Sequence, residues 1–316
     1  MSFAADEPPA GGVAGPPEGR VEHLRRETTK KLPTVTLLFW VMKIVSTTLG
    51  ETGGDLLAQS LKLGYFISTV AMVAILFATV AVQLRSDHYN PFYYWTVILT
   101  TTLAGTTISD FMNRDASAKY LTGLTNGTSL GWGPQGLGLG YPEGAAILVS
   151  LLAAVFVVWK LTGWTFQIDK IRTFRGEALF WTAILISNTL GTSIGDYLSD
   201  SSGLGYAGSA ELILGVLAVI VALRFAPKIP NVALFWAAFV LTRPLGATVG
   251  DFFTKPTAKG GLNLGTYGAS AVLLAILFVM TASKAVQARR QRQELAEYES
   301  ESRARWHGGR LVTGTG

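Results

Sequence analysis

FWVMKIVSTTLGETGGD, residues 39 to 55, decides how this chain is read. An aromatic residue and Trp open the stretch, nine mostly apolar residues and Gly follow, and an aspartate closes it fifteen residues after the Trp. The same phrase returns as YWTVILTTTLAGTTISD at 94 to 110, FWTAILISNTLGTSIGD at 180 to 196 and FWAAFVLTRPLGATVGD at 235 to 251. A phrase that keeps its length in four places marks an internal repeat. Its aspartates, Asp55, Asp110, Asp196 and Asp251, are 55, 86 and 55 residues apart, so the two halves superpose at an offset of 141, as if one pair had been doubled.

A second phrase follows each copy: Leu63-Gly64-Tyr65, Leu139-Gly140-Tyr141, Leu204-Gly205-Tyr206 and the looser Leu264-Gly265-Thr266-Tyr267. Each opens another long apolar run, so one repeat is two hydrophobic segments. Hydrophobic residues make up 49% of the chain, charged residues 15%, and the mean hydropathy is +0.36. A soluble domain carries about 25% charge, and the balance here points into a membrane. Eight stretches approach bilayer-spanning length, about 20 residues: 33 to 54, 65 to 84, 92 to 112, 142 to 162, 178 to 198, 206 to 226, 231 to 253 and 267 to 284.

Backbone polar groups in lipid require a helix or a closed barrel, and long apolar runs without alternation select the helix. The expected fold is an all-α integral membrane protein, an eight-helix bundle of four two-helix repeats at about 33–84, 92–162, 178–226 and 231–284. With two spans per repeat every copy enters the membrane in the same direction. The repeats are therefore related by an axis along the membrane normal, unlike inverted-repeat transporters. Residues 1–31 read as a disordered Pro/Gly lead without a signal peptide, 32–284 as one transmembrane domain, and 285–316 as a charged, solvated tail with a short helix around 287 to 301.

Lys and Arg concentrate before the first span, in the even-to-odd connections and at the start of the tail, which places both termini in the cytoplasm. This topology also accounts for the net charge of +5 and the pI of 9.4. No DNA-binding motif accompanies the basic residues, so nucleic acid is not an expected partner; the lipid bilayer is. The chain has no Cys, and its three histidines, His23, His88 and His307, lie outside the apolar stretches. Disulfides and the usual His/Cys zinc or copper site thereby have no material in the membrane.

Residues four apart share a helix face. Stepping back from each aspartate gives Thr47, Glu51, Asp55; Thr102, Thr106, Asp110; Asn188, Thr192, Asp196; and Arg243, Ala247, Asp251, with Lys43 extending the first line. Ionisable groups in hydrocarbon are costly and face a bundle interior or wet cavity, so the four stripes are expected to converge. The hydroxyls admit a plainer use, bonding to their own helix or gluing helices together, and an aspartate at a helix end can be a cap. Counting Glu143 and Glu211 at span edges gives seven acids against Lys43 and Arg243, an excess expected to recruit cations or protons. Carboxylate, hydroxyl and amide oxygens suit hard ions such as Na⁺, Mg²⁺, Ca²⁺ or Mn²⁺, with the four aspartates as metal candidates.

Glu51 and Arg243 replace residues that are small or neutral in the other copies, and they are expected to pair if the first and fourth repeats close a ring. The four tryptophans, about 22 Å from the aspartates at 1.5 Å per residue, are expected as anchors at the cytoplasmic interface. The Gly-rich outer loop from 113 to 140, with the isolated Trp132, reads as a lid or as an inert connection. Glycines before each aspartate serve close helix approach or a loosened helix end.

The segments Gly50 to Asp55, Gly105 to Asp110, Gly191 to Asp196 and Gly246 to Asp251, each with its upstream Trp and downstream Gly-Tyr phrase, resemble a family of bacterial uncharacterised membrane-anchored proteins built from tandem membrane repeats of unknown function. Ser109 and the Arg243-Pro244 pair depart from the pattern. The resemblance fits a bacterial cytoplasmic membrane and supplies no activity or substrate. From the residues, the first function is transport of a hard cation, protons or both through the Asp and Thr stripes. Alternatives are an intramembrane enzyme on a lipid-linked substrate, against which the near-equivalence of the copies and the absence of catalytic motifs stand, and a receptor or structural protein acting through its tail. The oligomeric state is not encoded in these features.

Overall fold

In the computed structural model, residues 18–86, 88–114, 136–163, 171, 173–226 and 229–312 are described. Nine α-helices and no strand occur among them: α1 (Glu18–Thr28), α2 (Leu37–Asp55), α3 (Gly64–Arg85), α4 (Pro91–Asn113), α5 (Tyr141–Leu161), α6 (Phe174–Asp196), α7 (Gly205–Leu223), α8 (Asn231–Thr254) and α9 (Thr266–Val312). Six of these, α3 and α5 to α9, are long and apolar enough to cross a membrane. Three charges in α2 (Lys43, Glu51, Asp55) and the many hydroxyls of α4 hold those two below that mark.

The chain divides into two compact units, Lys30–Ala285 and the pair of segments Met1–Thr29 and Val286–Gly316. In the first unit, the four helices that carry the repeated phrase pack in cyclic order, α2 on α4, α4 on α6, α6 on α8 and α8 back on α2. Every second helix covers the phrase helix of the following repeat: α3 lies on α4, α5 on α6 and α7 on α8. The cycle closes where Ser270 of α9 donates to Thr52 of α2 at 2.9 Å and Ser60 meets Thr266 at 2.7 Å. No repeat buries its own pair in isolation; each is completed by the next, which is the energetic logic of a repeat array bent into a ring.

Burial follows that plan. Two thirds of the most apolar window of α6 is inside the protein (67%), against 22% for α3 and 17% for α7. The outer helices instead present Ile67, Val70 and Phe77, Ile147 and Val149, Leu214 and Val219, Val272 and Phe278 to the surroundings. An apolar belt of this extent is what a bilayer covers.

The Leu-Gly-Tyr phrase has a backbone cause. Gly64, Gly140, Gly205 and Gly265, which start or immediately precede the outer helices, have φ of 77°, 83°, 66° and 72°, a left-handed turn that glycine adopts without a Cβ penalty. After the aspartates the copies alternate. In the first and third, the helix widens into a five-residue-spaced turn, Leu61 N to Leu56 O at 2.8 Å and Ser202 N to Tyr197 O at 3.0 Å. In the second and fourth it stops, and Arg114 N and Lys255 N bond the carbonyls of Asp110 and Asp251 at 2.9 and 2.8 Å.

Three expectations need correction. The tryptophans are not lipid-facing anchors: Trp95, Trp181 and Trp236 are buried and Trp40 half-buried, because each docks against the aromatic residue of the preceding copy. Phe39 meets Trp95 at 5.7 Å, Tyr94 meets Trp181 at 5.6 Å, Phe180 meets Trp236 at 6.0 Å and Phe235 meets Trp40 at 5.7 Å. The tail holds no separate short helix, since α9 runs unbroken to Val312. The lead is helical from Glu18 to Thr28, where Leu24 is buried and Arg20 and Arg25 pair with Glu294 and Glu299 at 2.9 and 3.2 Å within the second unit. Residues 1–17, and 115–135 of the outer loop with Trp132, lie outside the described residues.

Candidate functional site

The interior of the four-helix ring is built by small residues. A Cβ on Gly54 would fall 2.7 Å from Thr106 Cβ, one on Gly195 2.7 Å from Ala247 Cβ, and one on Gly246 2.6 Å from Thr47 Cβ. Gly50, Gly105 and Gly191 abut Thr102, Asn188 and Arg243 in the same way. The glycine of each copy thus receives the residue eight before the aspartate of the next, all around the ring. Close approach of backbones is the use of these glycines, and it brings the polar stripes together.

The hydroxyls are largely spent on that packing. Thr47 donates to Thr242 O at 3.2 Å, Thr102 to Ser46 O at 3.2 Å and Thr106 to Gly50 O at 2.9 Å, each crossing to the preceding helix of the ring. Thr192 bonds Asn188 O in its own helix at 3.2 Å.

Charged side chains fill the ring in layers. Nearest the aromatic layer, buried Lys43 reaches from α2 to Asn188 Oδ1 on the opposite helix α6 at 3.4 Å, with its ammonium 4.1 Å from the Phe239 ring centroid. Asn188 in turn donates to Thr101 at 3.1 Å. Arg243, on α8, crosses the other diagonal to Thr106 on α4, bonds Thr47 O at 3.3 Å and pairs with Glu51 at 3.0 Å. The first and fourth repeats are neighbours, and their two exceptional residues form a fully buried ion pair.

One turn further along lie the aspartates, all buried. Lys255 bridges Asp55 at 2.6 Å and Asp251 at 3.1 Å; Arg114 bridges Asp110 at 2.6 Å and Asp196 at 3.1 Å. Gln59 also donates to Asp55. Arg114 and Lys255 are 141 residues apart, each four after the aspartate of an even copy, so the doubled half supplies two equivalent bridges. Both stand two residues past an apolar stretch, 92 to 112 and 231 to 253. The signal was available in the offset, one helical turn beyond the aspartate, where a base folds back onto its own carboxylate.

These bridges correct the charge inventory. Glu143 and Glu211 are exposed on outer helices and take no part in the ring. Five interior carboxylates, Glu51, Asp55, Asp110, Asp196 and Asp251, face four bases, Lys43, Arg114, Arg243 and Lys255, so full ionisation leaves one negative charge rather than five. Glu177 is separate, at the start of α6, with Lys31 at 3.4 Å and Gln83 at 3.2 Å.

The balance is incomplete in one place. One carboxylate oxygen each of Glu51, Asp196 and Asp251 lies within 4.8 Å of the other two. Among the described residues nothing donates a hydrogen bond to the buried Glu51 Oε1, Asp196 Oδ1 or either oxygen of Asp251, nor to Asp110 Oδ2 beside them, although Asp251 Oδ1 is within ion-pair distance of Lys255. An oxygen-ligated cation, bound at 2.3–2.6 Å in the case of Ca²⁺, fits a cluster of this span, and so does a shared proton. Of the four aspartates named as metal candidates, Asp196 and Asp251 belong to this cluster, Glu51 completes it, and Asp55 and Asp110 stand beside it.

No curated protein and no solved structure matches the chain. A family described as Repeat of Unknown Function (DUF347) matches residues 38–89, 93–165, 179–229 and 234–292, one copy per two-helix unit. With four copies covering most of its length in the order the ring requires, this chain belongs to the DUF347 repeat family.

Proposed function

We propose that this protein is a multi-pass transporter of the bacterial cytoplasmic membrane that moves a hard cation, protons or both through the interior of the α2–α4–α6–α8 ring. In this reading α2 and α4 also cross the bilayer, shielded by α9 and α3, which gives eight spans in four parallel repeats with both termini in the cytoplasm. The observation that carries it is the trio Glu51, Asp196 and Asp251, one oxygen of each lying within 4.8 Å of the others, while four of the trio's oxygens take no hydrogen bond from the described residues. Each of the three carboxylates has one basic partner, but a buried carboxylate oxygen left without a hydrogen bond is costly, and a passing cation or proton is what offsets that cost.

The layers supply the rest. The aromatic layer closes one end of the ring, Lys43 and Arg243 cross it next, and Arg114 and Lys255 span the aspartate end. A cation held by the trio would thus sit between two tethered positive layers, a closed state from which movement of either layer opens a path. Purified protein in liposomes, tested with Mn²⁺, Mg²⁺, Ca²⁺, Na⁺ and a proton gradient, is expected to show flux for at least one. Absence of flux for the whole panel, with the protein folded and inserted, would remove the transport reading.

A further inference from the structure

Lys43 is the ring's odd charge. It is completely buried, and among the described residues no carboxylate pairs with it. Its ammonium has one long contact to an amide oxygen, 3.4 Å, and one ring face at 4.1 Å. The other three bases each reach a carboxylate at 2.6 to 3.1 Å. Arginine keeps its proton in proteins, and Lys255 is bracketed by Asp55 and Asp251. Lys43 is the base that can change charge at least cost to its partners.

The neighbouring elements leave it that role. On α2 itself the next ionisable group toward the aspartates is Glu51; α8 offers the Arg243 cation, α4 the buried Tyr94 phenol, and α6 Glu177, which is engaged by Lys31. On α9, outside α2, Tyr267 and Lys284 are not buried. No acid on any of these elements is positioned to hold the Lys43 proton in place.

Charge balance then links Lys43 to the trio. With Lys43 protonated the nine interior groups sum to one negative charge; a divalent ion at Glu51, Asp196 and Asp251 would turn this to one positive. Loss of the Lys43 proton restores neutrality. Glu51 is eight residues from Lys43, about 12 Å along the helix, a distance at which a unit charge changes an equilibrium by about tenfold in a protein interior. Resting on the transport reading, we infer that Lys43 is the proton-coupling residue and that a divalent hard cation entering the Glu51–Asp196–Asp251 cluster expels its proton. The step balances as one divalent ion in and one proton out, the lysine passing from ammonium to amine with no electron transfer.

The test measures proton release and heat on titrating Mn²⁺ into the detergent-purified protein in weak buffer, for wild type, Lys43→Met and Lys43→Arg. Wild type is expected to release about one proton per ion by charge balance; Na⁺, which neutralises the cluster alone, is expected to release none. Lys43→Met should bind Mn²⁺ with proton release abolished. Lys43→Arg, which keeps the charge, should release none and bind more weakly, by about tenfold. If both variants bind and release protons as wild type does, the proton resides on the carboxylates and the inference is overturned. If wild type binds no Mn²⁺ while the full panel shows flux of another ion, the divalent coupling is overturned and the transport reading stands; if nothing binds or moves, that reading falls too.

Discussion

Phe235, in the last copy of the repeated phrase, holds its ring 5.7 Å from the indole of Trp40 in the first. That spacing matches the 5.6 to 6.0 Å between successive copies elsewhere, so the seam between chain-distant repeats is built like the other three joints. Closure of the ring, and with it the meeting of Glu51 and Arg243, follows from this equivalence.

Phe180 is completely buried at one of these joints. Phe180→Ala is expected to destabilise the protein by about 3 kcal/mol, the low end for deleting a buried aromatic ring, read as a lowered unfolding midpoint in detergent. Phe77→Ala, on the exposed face of α3, serves as the control and is expected to change the midpoint little.

The glycines make a sharper contrast. Gly246→Ala would push a methyl against Thr47 Cβ at 2.6 Å, where both backbones are fixed by the ring, while Gly215→Ala meets nothing within 4 Å. The first is expected to cost about 1–3 kcal/mol through overpacking. The second should be neutral or slightly stabilising, since alanine outranks glycine in a helix. Equal midpoints for the two would contradict the packing described.

Arg243→Met strands Glu51 in the interior and is expected to cost about 3–5 kcal/mol, the price of an uncompensated buried charge. Adding Glu51→Gln should recover most of that loss. Reversal of the pair should recover less, because Arg243 also donates to Thr47 O, an acceptor that an introduced glutamate could not satisfy. The double-mutant cycle on unfolding midpoints measures the coupling.

In the second unit, hydrogen bonding to Arg20 holds the Glu294 carboxyl below its ordinary value. A carboxyl depressed in the folded state contributes stability above its unfolded value, about 4.3, and loses that contribution as pH falls through the folded value. Amide-exchange protection in Glu18–Thr28, corrected for the intrinsic pH dependence of exchange, is expected to fall below that pH in wild type. In Glu294→Gln protection should already be lower at neutral pH and show less acid dependence.

Much of this was legible in the chain. The repeat, the helical character of the apolar stretches and the inward Asp stripes come from periodicity, and the exceptional pair Glu51 and Arg243 from comparing one copy with the next. What the pattern could not supply was direction around the ring. Trp is favoured both at a membrane interface and in an aromatic joint, and only the neighbour's position chooses between them. Arg114 and Lys255 looked like loop charges because they stand past the apolar runs; the helix end turns them back onto Asp110 and Asp251. Glu143 and Glu211 looked intramembrane because they sit in apolar stretches, but they lie in the first and second turns of outer helices, α5 and α7, with their side chains exposed.

Uptake of Mn²⁺ into liposomes by Glu51→Gln, Asp196→Asn and Asp251→Asn, set beside Glu143→Gln and Glu211→Gln, tests most directly whether the converging carboxylates are the path. The three ring variants are expected to lose uptake by roughly tenfold or more, the scale at which losing even an outer partner of a metal site is felt, while the two outer variants retain it. Folded ring variants that transport like wild type would contradict the account.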